Sequence, residues 1–312
     1  MSDDPNWERK ILEKIALEGI AEQRRSRRWG IFFKLLGFLY VTVAIGALID
    51  WGDPTDLSDG KKTTALIELN GVIQAKGDAN ADDVVAALQA AFKSKHTAGV
   101  IVRINSPGGS PVQAGIINDE IRRLRAANPE IPLYAVIEDI CASGGYYVAA
   151  AADKIFVDKA SLVGSIGVLM DGFGFTGVMD KVGVERRLLT AGANKGFLDP
   201  FSPQNAQHKA FAQDMLDDIH RQFIDVVRKG RGKRLKETPE TFSGLLWTGS
   251  KSIELGLADG YGTIESVARD VIKAETIRDY TVKSNFAEKF AKKFGASVSE
   301  GATSALTKFS FR

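Results

Sequence analysis

The chain has 312 residues, 44% hydrophobic and 26% charged, enough for one sizeable folded domain with appendages. A net charge of +2 gives no electrostatic case for nucleic acid, and no nucleic-acid motif is present. The single cysteine, Cys141, excludes an intrachain disulfide, and no metal or cofactor is expected.

Residues 1–28 read as a cytoplasmic segment ending in the basic cluster Arg24, Arg25, Arg27 and Arg28, placed to touch anionic lipid. The run WGIFFKLLGFLYVTVAIGALI follows, from Trp29 to Ile49, with Lys34 its only charge. At 1.5 Å per residue, roughly 20 apolar residues match a hydrocarbon core of about 30 Å, and Lys34 is near enough to one end to snorkel. A transmembrane anchor over 29–50 is therefore expected, in preference to a buried core helix. Ala44 and Gly46 would suit a cleaved signal peptide, but the charged region ahead of the run is long, which favours an uncleaved anchor. Asp50, Asp53, Asp56 and Asp59 come next. The positive-inside rule then puts the N-terminus in the cytoplasm and the rest of the chain on the periplasmic or extracellular side of an inner (plasma) membrane.

Residues 51–62 read as a polar linker, and the pattern changes at Thr63. TALIEL (64–69), GVIVRI (99–104) and PLYAVI (132–137) read as strands, with KIFVDK and VGSIGVLM as further short ones. ADDVVAALQAAF (81–92), SPVQAGIINDEIRRLRA (110–126) and a stretch beginning at SGGYYVAAAA (143–152) read as helices. Residues 202–231 read as a long amphipathic helix capped by Ser202, with Pro203 in its first turn. Strand and helix alternate, so residues 63–275 are expected to form an α/β domain. Residues 276–312 form a tail in which Phe286, Phe290 and Phe294 recur every four positions. That stripe suits a packing face, a membrane contact or a subunit contact.

Two glycine-rich elements each follow a strand and precede a helix: RINSPGGS (103–110) and Ser143-Gly144-Gly145. Glycines there let backbone N–H groups face a ligand, and Gly109 and Gly144 are candidate donors to an oxyanion. Two ordinary strand–helix turns are the plainer reading. Ser143 is a candidate nucleophile, with Cys141 a weaker rival two residues earlier. Its base is open on the residues alone. His96, His208 and His220 read as solvated surface histidines, while Lys195, flanked by glycines in AGANKGFLDPFSP (191–203), could serve if burial kept its amine neutral.

The ordered motifs NSPGGS, SGGYYVAAAADKI, VGSIGV and AGANKGFLDPFSP resemble the signal peptide peptidase A family, serine peptidases of the S49 type, in the short single-domain form. The resemblance covers about residues 63–270. It implies Ser143 as nucleophile, Lys195 as general base, Ser165 of GSIG as orienter of the lysine, and Gly109 as the oxyanion donor of SPGG. It also implies a crotonase/Clp-protease-like spiral of β-β-α units and ring-like homo-oligomers. The expected activity is endopeptidase cleavage of apolar peptides such as signal peptide remnants. Tyr146 and Tyr147 would then line a substrate pocket or pack within their helix. A protease acting on other membrane proteins, as in stomatin operons, and a non-catalytic membrane scaffold of the same fold are alternatives. An acyl-CoA enzyme on that fold is a third, disfavoured because CoA is cytoplasmic.

Overall fold

The computed structural model describes residues 7–48 and 61–282. Trp7–Leu48 is a single 42-residue helix, α1. Its large apolar side chains from Trp29 to Val43 are exposed, and Trp29 packs on Phe32 and Phe33 at 5.7 and 5.6 Å between ring centroids. Among the described residues no helix is long and apolar enough to cross a membrane, so the expected anchor is not supported. Residues 49–50 of that expectation lie outside the described residues. So do linker residues 51–60 and tail residues 283–312, including Phe286, Phe290 and Phe294.

The second unit spans Gly60–Ser284. Its strands are β1 (Thr63–Asn70), β2 (Thr97–Ser106), β3 (Leu133–Ala142), β4 (Lys154–Val157), β5 (Leu162–Gly164), β6 (Leu246–Thr248), β7 (Gly260–Tyr261) and β8 (Ile277–Asp279). They form one mixed sheet in the order β6-β5-β3-β2-β1-β8, parallel except for β5 with β6. The sheet forks at β3: residues 134–136 pair with β4, and residues 140–142 pair with β5. β8 pairs with β1 beyond the expected boundary at 275, so the start of the tail belongs to the sheet.

The strands β1 to β3 are Val/Ile/Leu-rich because helices cover them. α2 (Ala81–Lys93), capped by Asn80, and α3 (Pro111–Ala127), capped by Ser110, bury Val84, Leu88, Ile117 and Ile121 against Ile67, Val102 and Ile104. The helix after Ser143 is only one and a half turns long, α4 (Gly144–Ala149). A further short helix, α5 (Thr176–Val182), buries none of its residues. The long helix α6 runs Ala206–Arg231, shorter than expected, because Asn205 caps it. Ser202 Oγ is instead bonded to Asp199 Oδ2 at 2.6 Å, closing the turn ahead of the helix. α6 lies so close to the end of α4 that a Cβ on Gly230 would sit 1.9 Å from Ala150 O.

At the C-terminal end of α6, Arg231 is 1% exposed. It grips Asp259 with two bonds of 2.8 Å and gives its Nε–H to Gly256 O at 2.8 Å. Asp259 also accepts from Ile155 N at 2.7 Å, so one carboxylate ties α6, β4 and the β7 approach together. Burial alone would raise this carboxyl, but the bonds and charge of Arg231 outweigh it and hold Asp259 below the usual carboxylate range. A depressed acid stabilises the fold above its unfolded pKa, about 4, and loses that contribution as pH falls through the folded value. Asp259→Asn, which leaves a buried guanidinium uncompensated, is expected to cost about 3–5 kcal/mol at pH 7. Urea titrations should show that gap narrowing from pH 5 toward pH 2; a constant gap would contradict the linkage.

Candidate active site

Three of the four sequence motifs end up side by side, at the C-terminal ends of adjacent strands. β2 leads into Pro107-Gly108-Gly109, β3 into Ser143, and β5 into Ser165. Carboxyl ends of parallel strands are where open α/β sheets place ligands. The expected neighbours Ser143, Gly144, Gly109 and Ser165 are therefore brought to one edge.

Ser143 occupies φ 51°, ψ −121°, a left-handed conformation that L-residues rarely adopt. It stands in the N-cap position of α4, yet its hydroxyl makes no cap bond. Serines there ordinarily spend the oxygen on the helix, so this one is left for another partner. The backbone is held by Ser143 N–H donating to Gly164 O at 2.9 Å. Ser165, next along, is also left-handed, at φ 49°, and its N–H donates to Leu245 O at 2.7 Å. Such conformations cost of order 1–3 kcal/mol each and persist only where the surroundings impose them.

The SPGG loop is fitted between two backbones. Gly108, at φ 98°, has no room for a side chain: a Cβ would lie 2.7 Å from Gly144 N. Gly109, at φ 145°, would put a Cβ 2.2 Å from Ile73 O. Ile73 N–H donates to Gly108 O and Ser110 N–H to Ile73 O, both at 2.8 Å, which pins the loop from its far side. Buried Ser106 adds an acceptor for Gly108 N–H at 3.1 Å. Among the described residues no acceptor takes the N–H of Gly109, and Gly144 N–H belongs to the first turn of α4, where helix donors lack a partner. The N–H groups of Gly109 and Gly144 thus lie at the meeting of the SPGG loop and the Ser143 turn, the kind of donor pair an oxyanion needs.

Lys195 is not joined to this cluster by any hydrogen bond among the described residues. It lies in an exposed turn with its N–H on Gly192 O at 3.1 Å. The turn belongs to an arm, residues 168–203, rich in exposed apolar side chains such as Leu169 (81%) and Leu189 (96%). The arm is braced internally by Phe175 stacked on Phe201 at 5.4 Å and on α6 by Phe197 against Phe211 at 5.8 Å.

Tyr146 is corrected. It is fully buried, its hydroxyl donating to Leu257 O at 2.7 Å, because the third position of this short helix points into the core. Tyr147 is half-buried and packs its ring 5.1 Å from Phe223 of α6, while Asn118 Nδ2 donates to its carbonyl at 2.6 Å. The Tyr146 ring thus lies wholly in the core, and the Tyr147 ring packs on α6. Cys141 is buried and burial pushes its thiol well up, so it is no rival nucleophile. Ile73, Ser106 and Leu245 escaped the sequence reading because their part is played by backbone or by a single buried hydroxyl, which no side-chain motif announces. His220 escaped it too, although Phe223 and Val227, three and seven residues on, mark its face of α6 as the buried one.

The model of peptidase family S49 matches residues 125–278, a span holding Ser143, Ser165 and Lys195. The chain is 31% identical over 229 residues to a provisionally named protease of Synechocystis, covering 70% of this chain and 80% of that protein. It is 29% identical over 236 residues to a provisionally named signal peptide peptidase SppA of Enterococcus faecium, covering 72% and 68%. It is also 45% identical over 195 residues to the Na(+)/H(+) antiporter NhaA of Brucella melitensis, covering 61% of this chain but only 26% of that much longer protein.

The strain at Ser143 yields a stability test. Ser143→Gly and Ser143→Ala both remove the hydroxyl, but only glycine relaxes the left-handed backbone. Ser143→Gly is expected to be the more stable by about 1 kcal/mol in chemical denaturation, despite glycine's greater unfolded-state entropy. Equal midpoints would mean that the backbone is unstrained.

Proposed function

The chain belongs to peptidase family S49, and on that premise we propose that it is a serine endopeptidase working through a Ser/Lys dyad. The observation that carries the reading is the strained Ser143, its hydroxyl uncommitted, flanked by the free N–H groups of Gly109 and Gly144. A neutral Lys195 amine takes the proton from Ser143 Oγ as it attacks the scissile carbonyl, and the new C–O bond makes a tetrahedral oxyanion held by Gly109 and Gly144. The ammonium returns the proton to the leaving amine. Water then repeats the sequence on the acyl-enzyme, freeing the acid and restoring Ser143. Ser165 directs the amine through its hydroxyl. The forked sheet suits the spiral of β-β-α units that the motif resemblance implies.

The substrates in this reading are extended apolar peptides, signal peptide remnants among them. Support for a homo-oligomer comes from the arm. Its exposed apolar residues would be covered by a second copy, and covering the arm is what would withdraw Lys195 from water, the condition under which an amine is neutral. Membrane attachment is supported by the exposed apolar side chains of α1, the arginines before them, and the continuation of the apolar run in sequence to Ile49. The antiporter relative does not extend antiport to this chain, because the matched region is a quarter of that protein.

Ser143→Ala and Lys195→Ala are each expected to lower hydrolysis of a fluorogenic apolar peptide by at least 10³-fold with folding retained. An active Lys195→Ala enzyme would sink the dyad. Sedimentation of detergent-solubilised chain should show a multimer that Leu189→Asp dissociates, and the whole chain should float with anionic liposomes. A monomer that is fully active, or a chain that stays at the bottom of the gradient, would remove the oligomer or the membrane part of the reading respectively.

A further inference from the structure

One side chain outside the dyad touches the Ser165 turn. His220, half-buried on α6, places Nε2 3.1 Å from Ile166 O. A carbonyl only accepts, so Nε2 carries the proton and donates, which fixes the ring tautomer. No backbone donor takes Ile166 O among the described residues, and Ile166 is itself fully buried. His220 therefore satisfies a carbonyl immediately after the left-handed Ser165.

We infer that His220 is a positioning residue that holds the Ser165 turn in its reactive geometry. This rests on the dyad reading and adds the group that aims the aiming serine. Among the described residues, three hydrogen bonds outside the strand ladders tie the turn to its surroundings. Gly164 O receives Ser143 N–H, Ser165 N–H reaches Leu245 O, and Ile166 O receives His220. The first two are backbone bonds and survive any substitution of a side chain. The third is a side-chain bond and sets the direction of the turn's outgoing limb. His220 is well placed to do so because α6 is fixed against the nucleophile helix: Phe223 packs on Tyr147, Val227 is fully buried, and Gly230 abuts Ala150. The same helix thus references both Ser143, through α4, and Ser165, through His220. Freed of this bond, the φ 49° backbone at Ser165 has one fewer restraint against relaxing to an ordinary conformation, and its hydroxyl turns with it.

The test uses the full chain, a fluorogenic apolar peptide, and an alkyl fluorophosphonate whose labelling of Ser143 needs no substrate binding. His220→Phe keeps ring bulk without the donor and is expected to lower kcat and the labelling rate about tenfold with KM unchanged, the scale of one lost hydrogen bond. His220→Gln, which carries an N–H at a similar reach, should stay within about threefold of the parent. Ser165→Ala should be slow, and adding His220→Phe to it should slow it no further, since both act through one hydroxyl. Should His220→Phe not fold, His220→Ala takes its place in every comparison. The inference is overturned by parental rates in the donor-less variant, by a Gln variant as slow as Phe, by effects that multiply in the double variant, or by a silent Ser165→Ala. Failure of the dyad itself is a separate result, read from active Ser143→Ala or Lys195→Ala.

Discussion

A Cβ on Gly108 would lie 2.7 Å from both Gly144 N and Ser143 Cβ, and this exclusion fixes where the β2 and β3 turns meet. Because neither side can grow a side chain between them, two stretches of bare backbone approach until their N–H groups share one space. The loop cannot retreat, since Ile73 closes on Gly109 from the opposite side. Strand pairing supplies the rest of the constraint. β2 and β3 run parallel in register from Val100 with Leu133 to Ile104 with Ile137, then slip before Ser106 meets Cys141. The slip lies just ahead of the two turns.

The two left-handed serines restrain one another. Ser143 is held through Gly164 O, and Gly164 precedes Ser165, so the nucleophile's backbone is tied to the turn carrying its proposed partner. Each conformation costs of order 1–3 kcal/mol, a sizeable part of a typical domain's 5–15 kcal/mol margin. The remainder of the unit offsets that cost with ordinary means: the buried aliphatic layer beneath α2 and α3, and the Arg231–Asp259 pair locking the end of α6. Asp259 is expensive to bury and is satisfied on every side, which suits a joint that must not move.

Periodicity and β-branched runs revealed β1 to β5, α2, α3 and most of α6, whereas β6, β7 and β8, two or three residues each, are too short to show a period. Neither signal revealed the fork at β3, since a strand that changes partner midway reads like any other buried run. The short α4 looked longer because AAAA continues its composition, but Ala150–Ala152 leave the helix and feed β4. Ser143, Gly109 and Ser165 were legible as motifs. Their shared location is a property of strand order, which local sequence does not encode. For Tyr146 the sequence left pocket and packing open, because one residue of a one-and-a-half-turn helix says nothing about which face is buried; packing is what the structure shows. His220 looked like a surface histidine among charges, yet its spacing to Phe223 and Val227 placed it on the inner face.

Lys195 differs from everything else at the site. Ser143, Gly109, Gly144 and Ser165 are set by backbone contacts, whereas Lys195 rides on an arm whose apolar side chains face solvent. The serine turns are thus pre-formed, while the environment of Lys195 depends on what covers the arm. In the proposed dyad that division has a use. A serine without a neutral amine beside it is a poor nucleophile, so under that proposal hydrolysis would be confined to a state in which the arm is covered. α6 touches both halves, with His208 Nε2 3.2 Å from Asn194 Oδ1 beside Lys195 and His220 on Ile166 beside Ser165. One helix therefore carries hydrogen-bond reference points for the turns that hold Lys195 and Ser165 alike.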